Sequence, residues 1–184
     1  MGLNQTLGAD LRSLRKSRGL TLETLSAQLG RSVGWLSQVE RDISSLEPSD
    51  IAAIAKALDV PTSLLSNDNT RAEEAGRVVR ANARRALGER VPGLVESLLS
   101  PDLTDSFEVI HSTFLPGSKS DGEVTRDTAE LGFVVSGKLD VALGGQNFTI
   151  QSGDSFRVRD ETLAWSNPYD APAILVWVIS PPVY

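Results

Sequence analysis

The sequence predicts two domains of different class within 184 residues, an all-α domain followed by an all-β one. Three observations carry that expectation. Up to about Ser66, apolar residues recur at the three- and four-residue spacing of amphipathic helices. Beyond the segment 67–105, short runs rich in β-branched and aromatic residues end at glycine or proline pairs, the punctuation of strands and tight turns. Charge changes along with pattern. Residues 1–66 carry seven basic and seven acidic groups, whereas residues 91–184 carry five basic and thirteen acidic ones.

In the first domain, Leu7, Leu11 and Leu14 form one helical face that stops at Gly19. Thr21 is placed to cap a second helix, in which Leu22, Leu25 and Leu29 share a face and Gly30 ends it. Ser32 caps a third, with Leu36 and Val39 inward. Ser49, just after Pro48, opens a fourth through Ile51, Ile54, Ala55 and Leu58, and Pro61-Thr62 begins a short fifth that ends near Leu65.

Residues 67–105 form a linker with lead-in strands whose path is left open; its first part, 67–90, holds six arginines (71, 77, 80, 84, 85 and 90). Strands are then expected over 107–114, 133–135, 139–143, 148–150 and 174–179. Gly144-Gly145 is a tight-turn signal between two of them. Short strands at this spacing indicate a sandwich or barrel over 106–184.

Composition narrows the chemistry. The chain has no cysteine, so disulfides, thiolate metal sites and a cysteine nucleophile are ruled out. Met1–Ala9 lacks the basic and apolar blocks of a secretion signal, and no apolar run approaches the ~18 residues of a membrane span, so a cytoplasmic protein is expected. The net charge of −6 disfavours nucleic-acid binding by the chain as a whole. The acidic surplus lies in the β half, which leaves the helical half free to approach phosphate; scattered solvated charge would give the same tally.

Thr21 to Arg41 places two short helices around a Gly30 turn, a helix-turn-helix arrangement in which the first helix braces the DNA backbone and the second enters the major groove. With the runs LSQVER (36–41) and AIAKALDVP (53–61), residues 7–65 resemble the XRE-type, phage-repressor-like helix-turn-helix domain, which is a five-helix fold. The resemblance implies that Val33, Gly34, Ser37 and Gln38 face base edges, Gln38 being able to bond an adenine through two hydrogen bonds. It implies phosphate contacts for Thr21, Ser32, Trp35 and Arg41, although Trp35 is equally readable as a helix-packing residue. It also implies an internal pairing of Glu40 with Arg12 or Arg15. The other reading of the segment is a helical protein-interaction module. Because the domain's own charge is only balanced, a homodimer on paired half-sites with steep salt dependence is expected.

The pieces AELGFVVSG (129–137), LDVALGG (139–145), SGDSFRV (152–158), WSNP (165–168) and ISPPVY (179–184), in this order, resemble the cupin family, whose fold is a double-stranded β-helix or jelly-roll barrel. Metal-binding cupins use two His and one Glu of a first motif and one His of a second. Carried over by position, those ligands fall on Val124, Arg126, Glu130 and Leu163, so only the carboxylate is present. His111, the chain's one histidine, lies on an earlier strand and reads as an ordinary strand residue. No metal or other cofactor is expected. Val124, Arg126, Glu130 and Leu163 should share the barrel interior with Trp165, two residues beyond Leu163 on the same strand face. Arg126 and Glu130 are expected to pair, either as a structural plug of a closed barrel or as the polar end of a pocket in which Arg126 binds the carboxylate or phosphate of a small effector.

Three functions from different classes follow. The first is a ligand-responsive transcriptional regulator. The second is a cupin-type oxidative enzyme, for which the metal ligands are missing and no nucleophile–base pair replaces them. The third is a DNA-binding protein whose barrel only dimerises. The first accounts for most of the chain.

Overall fold

The computed structural model describes residues 7–65, 74–88 and 90–183. The chain divides into two compact units: Met1–Ala86 with Ser100–Asp105, and Leu87–Leu99 with Ser106–Val183. The head of the predicted linker, Arg71 included, lies outside the described residues.

In the helical unit, five helices follow one another: α1 (Leu7–Ser17), α2 (Leu22–Leu29), α3 (Val33–Val39), α4 (Pro48–Ala57) and α5 (Thr62–Leu65). The Thr21 hydroxyl accepts the Thr24 amide and the Ser32 hydroxyl accepts the Trp35 amide, each at 3.1 Å, so both predicted caps satisfy a donor that the first helical turn leaves orphaned. The start of α4 differs from the expected Ser49. Proline needs no amide partner and has its φ preset for the first helical position, so the helix begins at Pro48, and the Asp50 carboxylate folds back onto the Glu47 amide at 3.2 Å. Leu11, Leu14, Leu25, Leu36, Val39, Ile54, Leu58 and Leu64 form the core, each at most 2% exposed.

Two buried ion pairs brace this unit. The Arg15 guanidinium donates to both Glu40 carboxylate oxygens, at 2.6 and 2.9 Å, and to the Leu20 carbonyl at 2.7 Å. Asp10 of α1 accepts the Arg85 guanidinium at 2.6 Å through Oδ2 and the Leu103 amide at 2.8 Å through Oδ1. Burial pushes the Asp10 carboxyl above its ordinary range, against the pull of Arg85 and the Leu103 amide.

The second unit holds eight strands: β1 (Leu94–Leu98), β2 (Glu108–Phe114), β3 (Ala129–Ser136), β4 (Lys138–Leu143), β5 (Gln146–Gln151), β6 (Ser155–Arg159), β7 (Leu163–Ser166) and β8 (Ala173–Ser180). They form two antiparallel sheets, ordered β1-β2-β8-β3-β6 and β5-β4-β7. β1 lies in the segment whose path the sequence left open, after a 3-10 turn at Ala81–Ala83. Gly144 (φ 54°) and Gly145 (φ 81°) supply the two positive φ angles that a two-residue β4–β5 hairpin requires.

The pleat sets which side chains turn inward. Along β2, Glu108, Ile110, Ser112 and Phe114 are buried while the residues between them are half-exposed. Register then lays Glu108, Ile179 and Glu130 in one cross-strand row and Ile110, Trp177 and Gly132 in the next. Among the described residues no helix is long and apolar enough to cross a membrane.

Candidate functional site

Two surfaces carry the predicted site residues. In the helical unit, Thr21, Ser32, Val33, Gly34, Gln38 and Arg41 are exposed, and Trp35 and Ser37 are half-buried. Leu36 and Val39 turn inward, which aims the opposite face of α3 at solvent. The Gln38 carboxamide accepts the Ser44 hydroxyl at 3.1 Å, and Arg41 is tethered to the Ser37 carbonyl at 3.1 Å. Of the two predicted partners of Glu40, Arg15 takes the place, so Arg12 remains outside that pair.

Arg31 escaped the sequence reading. Its guanidinium bonds Asp50 at 2.7 Å and lies 4.9 Å from the centre of the Trp35 ring, which ties the turn before α3 to α4. Its signal was present: a cation four residues before a Trp, on the turn between the two helices.

In the barrel, Val124, Arg126, Glu130, Leu163 and Trp165 all line one cavity of about 380 Å³. Val124 and Leu163 exchange backbone hydrogen bonds of 2.9 Å, which seats the loop before β3 along β7. The neighbouring Ser120 amide donates to the Trp165 carbonyl at 2.9 Å. Asn167, fully buried, donates to the Phe114 and Ala171 carbonyls at 2.8 and 3.0 Å and accepts the Tyr169 amide at 3.1 Å. That pin holds the end of β7 against β2 and sets Trp165 edge-on to Phe114, ring centres 4.6 Å apart.

Phe114, Trp177, Ile110 and Ile179 complete an apolar wall that the sequence reading did not assemble. Gly132 helps make it possible. A Cβ there would come within 2.5 Å of the Phe156 ring, which stands edge-on to Trp177 with centres 5.1 Å apart. The glycine in "LGFVV" was the available sign of a close approach.

The polar end departs from a sealed plug. Arg126 Nη1 stands 3.4 Å from Glu130 Oε1, and the arginine side chain is 38% exposed against 4% for the glutamate. The expected pair therefore forms, but with Arg126 open to solvent rather than buried. The oxygen facing Arg126 also accepts the Thr128 hydroxyl at 2.8 Å.

Arg90, Glu96 and Asp121 line the same cavity. Glu108 lies in the Glu130 row; its Oε1 accepts the amide of Val183, a cavity residue, while its buried Oε2 has no hydrogen-bond partner. Burial raises the Glu108 carboxyl above its ordinary range. The Val183 amide, Arg90 and Arg126 pull it down, and Glu96 pushes it further up.

The cavity does not fit the metal that cupins commonly hold. Val124 and Leu163 offer no donor, Arg126 brings a cation to within 3.4 Å of the one carboxylate in the set, and His111 on β2 alternates to the outer face.

Comparison with known proteins agrees with both units. The helix-turn-helix domain family matches residues 6–67 and the cupin domain family matches residues 110–179. The transcriptional regulator ClgR of Mycobacterium tuberculosis is 31% identical over 101 residues, 54% of this chain and 90% of the relative. A solved RmlC-like cupin from Shewanella frigidimarina is 19% identical, covers 57% of this chain and 90% of its own, and superposes with a TM-score of 0.50. An HTH_3 family transcriptional regulator from Vibrio cholerae aligns with 96% of each chain at 20% identity and a TM-score of 0.45.

Proposed function

We propose, from the premise that the chain belongs to the helix-turn-helix transcriptional regulators that carry a cupin domain, that it regulates transcription in the cytoplasm in response to a small molecule held in the barrel. The observation that carries this reading is the convergence of five positions on one cavity. Val124, Arg126, Glu130, Leu163 and Trp165 are spread over about forty residues of sequence, yet they meet around 380 Å³ lined by both apolar and charged side chains. Cavities of a few hundred Å³ with a few convergent polar groups are the usual form of small-ligand sites. Arg126 is the natural seat for a carboxylate or phosphate, because its bond to Glu130 is long and its guanidinium is accessible.

On DNA, α3 enters the major groove. Gln38 reads a base, Val33, Gly34 and Ser37 approach base edges, and Thr21, Ser32, Trp35 and Arg41 meet phosphates. The chain acts as a homodimer on two half-sites. The outer face of the five-stranded sheet supports a second copy as partner, since Leu131, Phe133, Val135 and Val178 are exposed there as neighbours on β3 and β8. The protein is not an enzyme in this reading. Among the described residues the barrel has neither a fitting metal set nor a nucleophile–base pair, which supports a chemistry of recognition.

Effector binding shifts the population of the dimer, and the segment around Arg85 carries the shift to the recognition helices. A coupling of ~1–3 kcal/mol changes operator affinity about 5–150-fold. The test is an operator titration with and without the small molecule that native mass spectrometry finds on purified protein. Arg126→Ala should abolish the ligand effect and leave basal DNA affinity intact. Equal operator affinity at every ligand concentration would instead favour the second reading, in which the barrel serves only the apolar dimer contact.

A further inference from the structure

The cavity's charge inventory constrains its ligand more tightly than Arg126 alone. Among the described residues lining it are two guanidinium groups, Arg90 and Arg126, and three carboxylates, Glu96, Asp121 and Glu130. Glu108 adds a fourth carboxylate whose electrostatic neighbours include Arg90, Arg126 and Glu96. A ligand that is only an anion would add negative charge to an already acidic site, and it would bring nothing for the carboxylates to accept.

The donors and acceptors are also unspent. Glu96 commits one oxygen to the Ser112 hydroxyl at 2.7 Å, and Glu130 commits one to Thr128. Among the described residues, Arg126 has the 3.4 Å contact with Glu130 as its one close polar contact and Arg90 has no hydrogen-bond partner, both acting on Glu108 through charge alone. Phe114, Trp165, Trp177 and Leu163 line the same cavity and give it a largely aromatic surface, Trp177 standing in the row next to Glu130. The site thus offers cation and anion seats within one small volume, beside an apolar surface.

We infer that the barrel binds an amphoteric ligand of the α-amino acid class with an apolar or aromatic side chain. Its carboxylate seats on Arg126 with Arg90 nearby, its ammonium donates to Glu130 or Glu96, and its side chain lies against Trp165 and Trp177. The ammonium cancels the charge that the ligand's own carboxylate brings, so binding adds no negative charge to the site, and it supplies donors to carboxylate oxygens that lack them. This inference rests on the effector-binding reading above and narrows it.

Calorimetric titration of the full chain with three matched probes tests it: L-phenylalanine, 3-phenylpropionate, which lacks the ammonium, and 2-phenylethylamine, which lacks the carboxylate. L-Phenylalanine should bind, and each truncated probe should bind at least about tenfold more weakly, the order of one charge-assisted hydrogen bond. Arg126→Ala should erase the advantage of phenylalanine over the amine, and Glu130→Gln its advantage over the acid.

If 3-phenylpropionate binds as tightly as phenylalanine, the amphoteric assignment is overturned while an anionic effector stands. If the amine binds as tightly, the assignment is overturned and the carboxylate seat on Arg126 falls with it. If none of the three binds, the ligand class is wrong; whether the protein responds to any ligand is then decided separately by the operator titration.

Discussion

Arg15–Glu40 in the helical unit and Arg126–Glu130 in the barrel join the same two side-chain types, each with a buried glutamate, and differ in how far the arginine is closed in. The first pair makes two bonds, at 2.6 and 2.9 Å, between side chains 9% and 5% exposed, and Arg15 donates a third to a backbone carbonyl. The second pair has one contact of 3.4 Å, with its arginine 38% exposed. A bidentate, desolvated pair has little left to offer a partner, so it fixes helix against helix. A long pair at a cavity keeps most of its donors available. Identical residues make a closed brace in one unit and an open pair at a cavity in the other, and the distinction comes from hydrogen-bond saturation.

Breaking the brace should have the largest effect. Glu40→Ala leaves a buried guanidinium unpaired and should cost the helical unit about 3–5 kcal/mol, read as a lowered urea midpoint of its transition. If the midpoint hardly moves, Arg15 has found water and the pair is no brace. A smaller loss is expected on the face that α3 turns outward. Gln38→Ala should lower operator affinity by about 1–3 kcal/mol and relax selectivity at one base, without changing the unfolding curve. Unchanged selectivity would remove Gln38 from the base-reading set.

Smaller again is the effect of Arg126→Ala on stability. An exposed, loosely paired arginine should change the barrel's unfolding free energy by no more than about 1 kcal/mol, in contrast to Glu40→Ala. A loss as large as that of Glu40→Ala would make the pair a structural plug. Burial raises the Glu108 carboxyl above its ordinary value of 4.5, with Arg90, Arg126 and Glu96 as its charged neighbours. Between the ordinary value and the raised folded one, the folded state holds more proton than the unfolded state. The group's stabilising contribution is therefore complete below the ordinary value and is lost as pH rises through the folded one. Glu108→Gln, which keeps an acceptor for the Val183 amide, should be favoured over the parent more at neutral than at acid pH. A difference between the two proteins that does not vary with pH would show that Glu108 does not titrate in this way.

The same contrast explains what could be read from sequence. Helix caps at Thr21 and Ser32, the inward pairs Leu25 and Leu36, and the Gly144-Gly145 hairpin are local features, and local chemistry writes them into adjacent residues. The five cavity residues were legible only because family motifs fix their positions along the barrel. Arg90, Glu96 and Glu108 were not legible. They sit on or beside β1 and β2, far in sequence from those motifs; Arg90 and Glu96 line the cavity and Glu108 lies in the Glu130 row, a placement that no single segment encodes. The openness of Arg126 was likewise hidden, because spacing shows that two charges are near each other and says nothing about which of them meets water.

Asp10 has a consequence for dissecting the molecule. Its two oxygens hold Arg85 and the Leu103 amide, both well beyond the point near residue 66 where the helical pattern stops, and residues 100–105 count as part of the helical unit although strand β1 intervenes. A fragment cut where the apolar periodicity ends would strand a buried carboxylate with neither partner. A fragment ending at Ala86 would restore Arg85 and still lack the Leu103 amide. The helical unit is thus discontinuous in sequence, and an autonomous version of it would need Asp10 replaced by an apolar residue or the 100–105 segment grafted back.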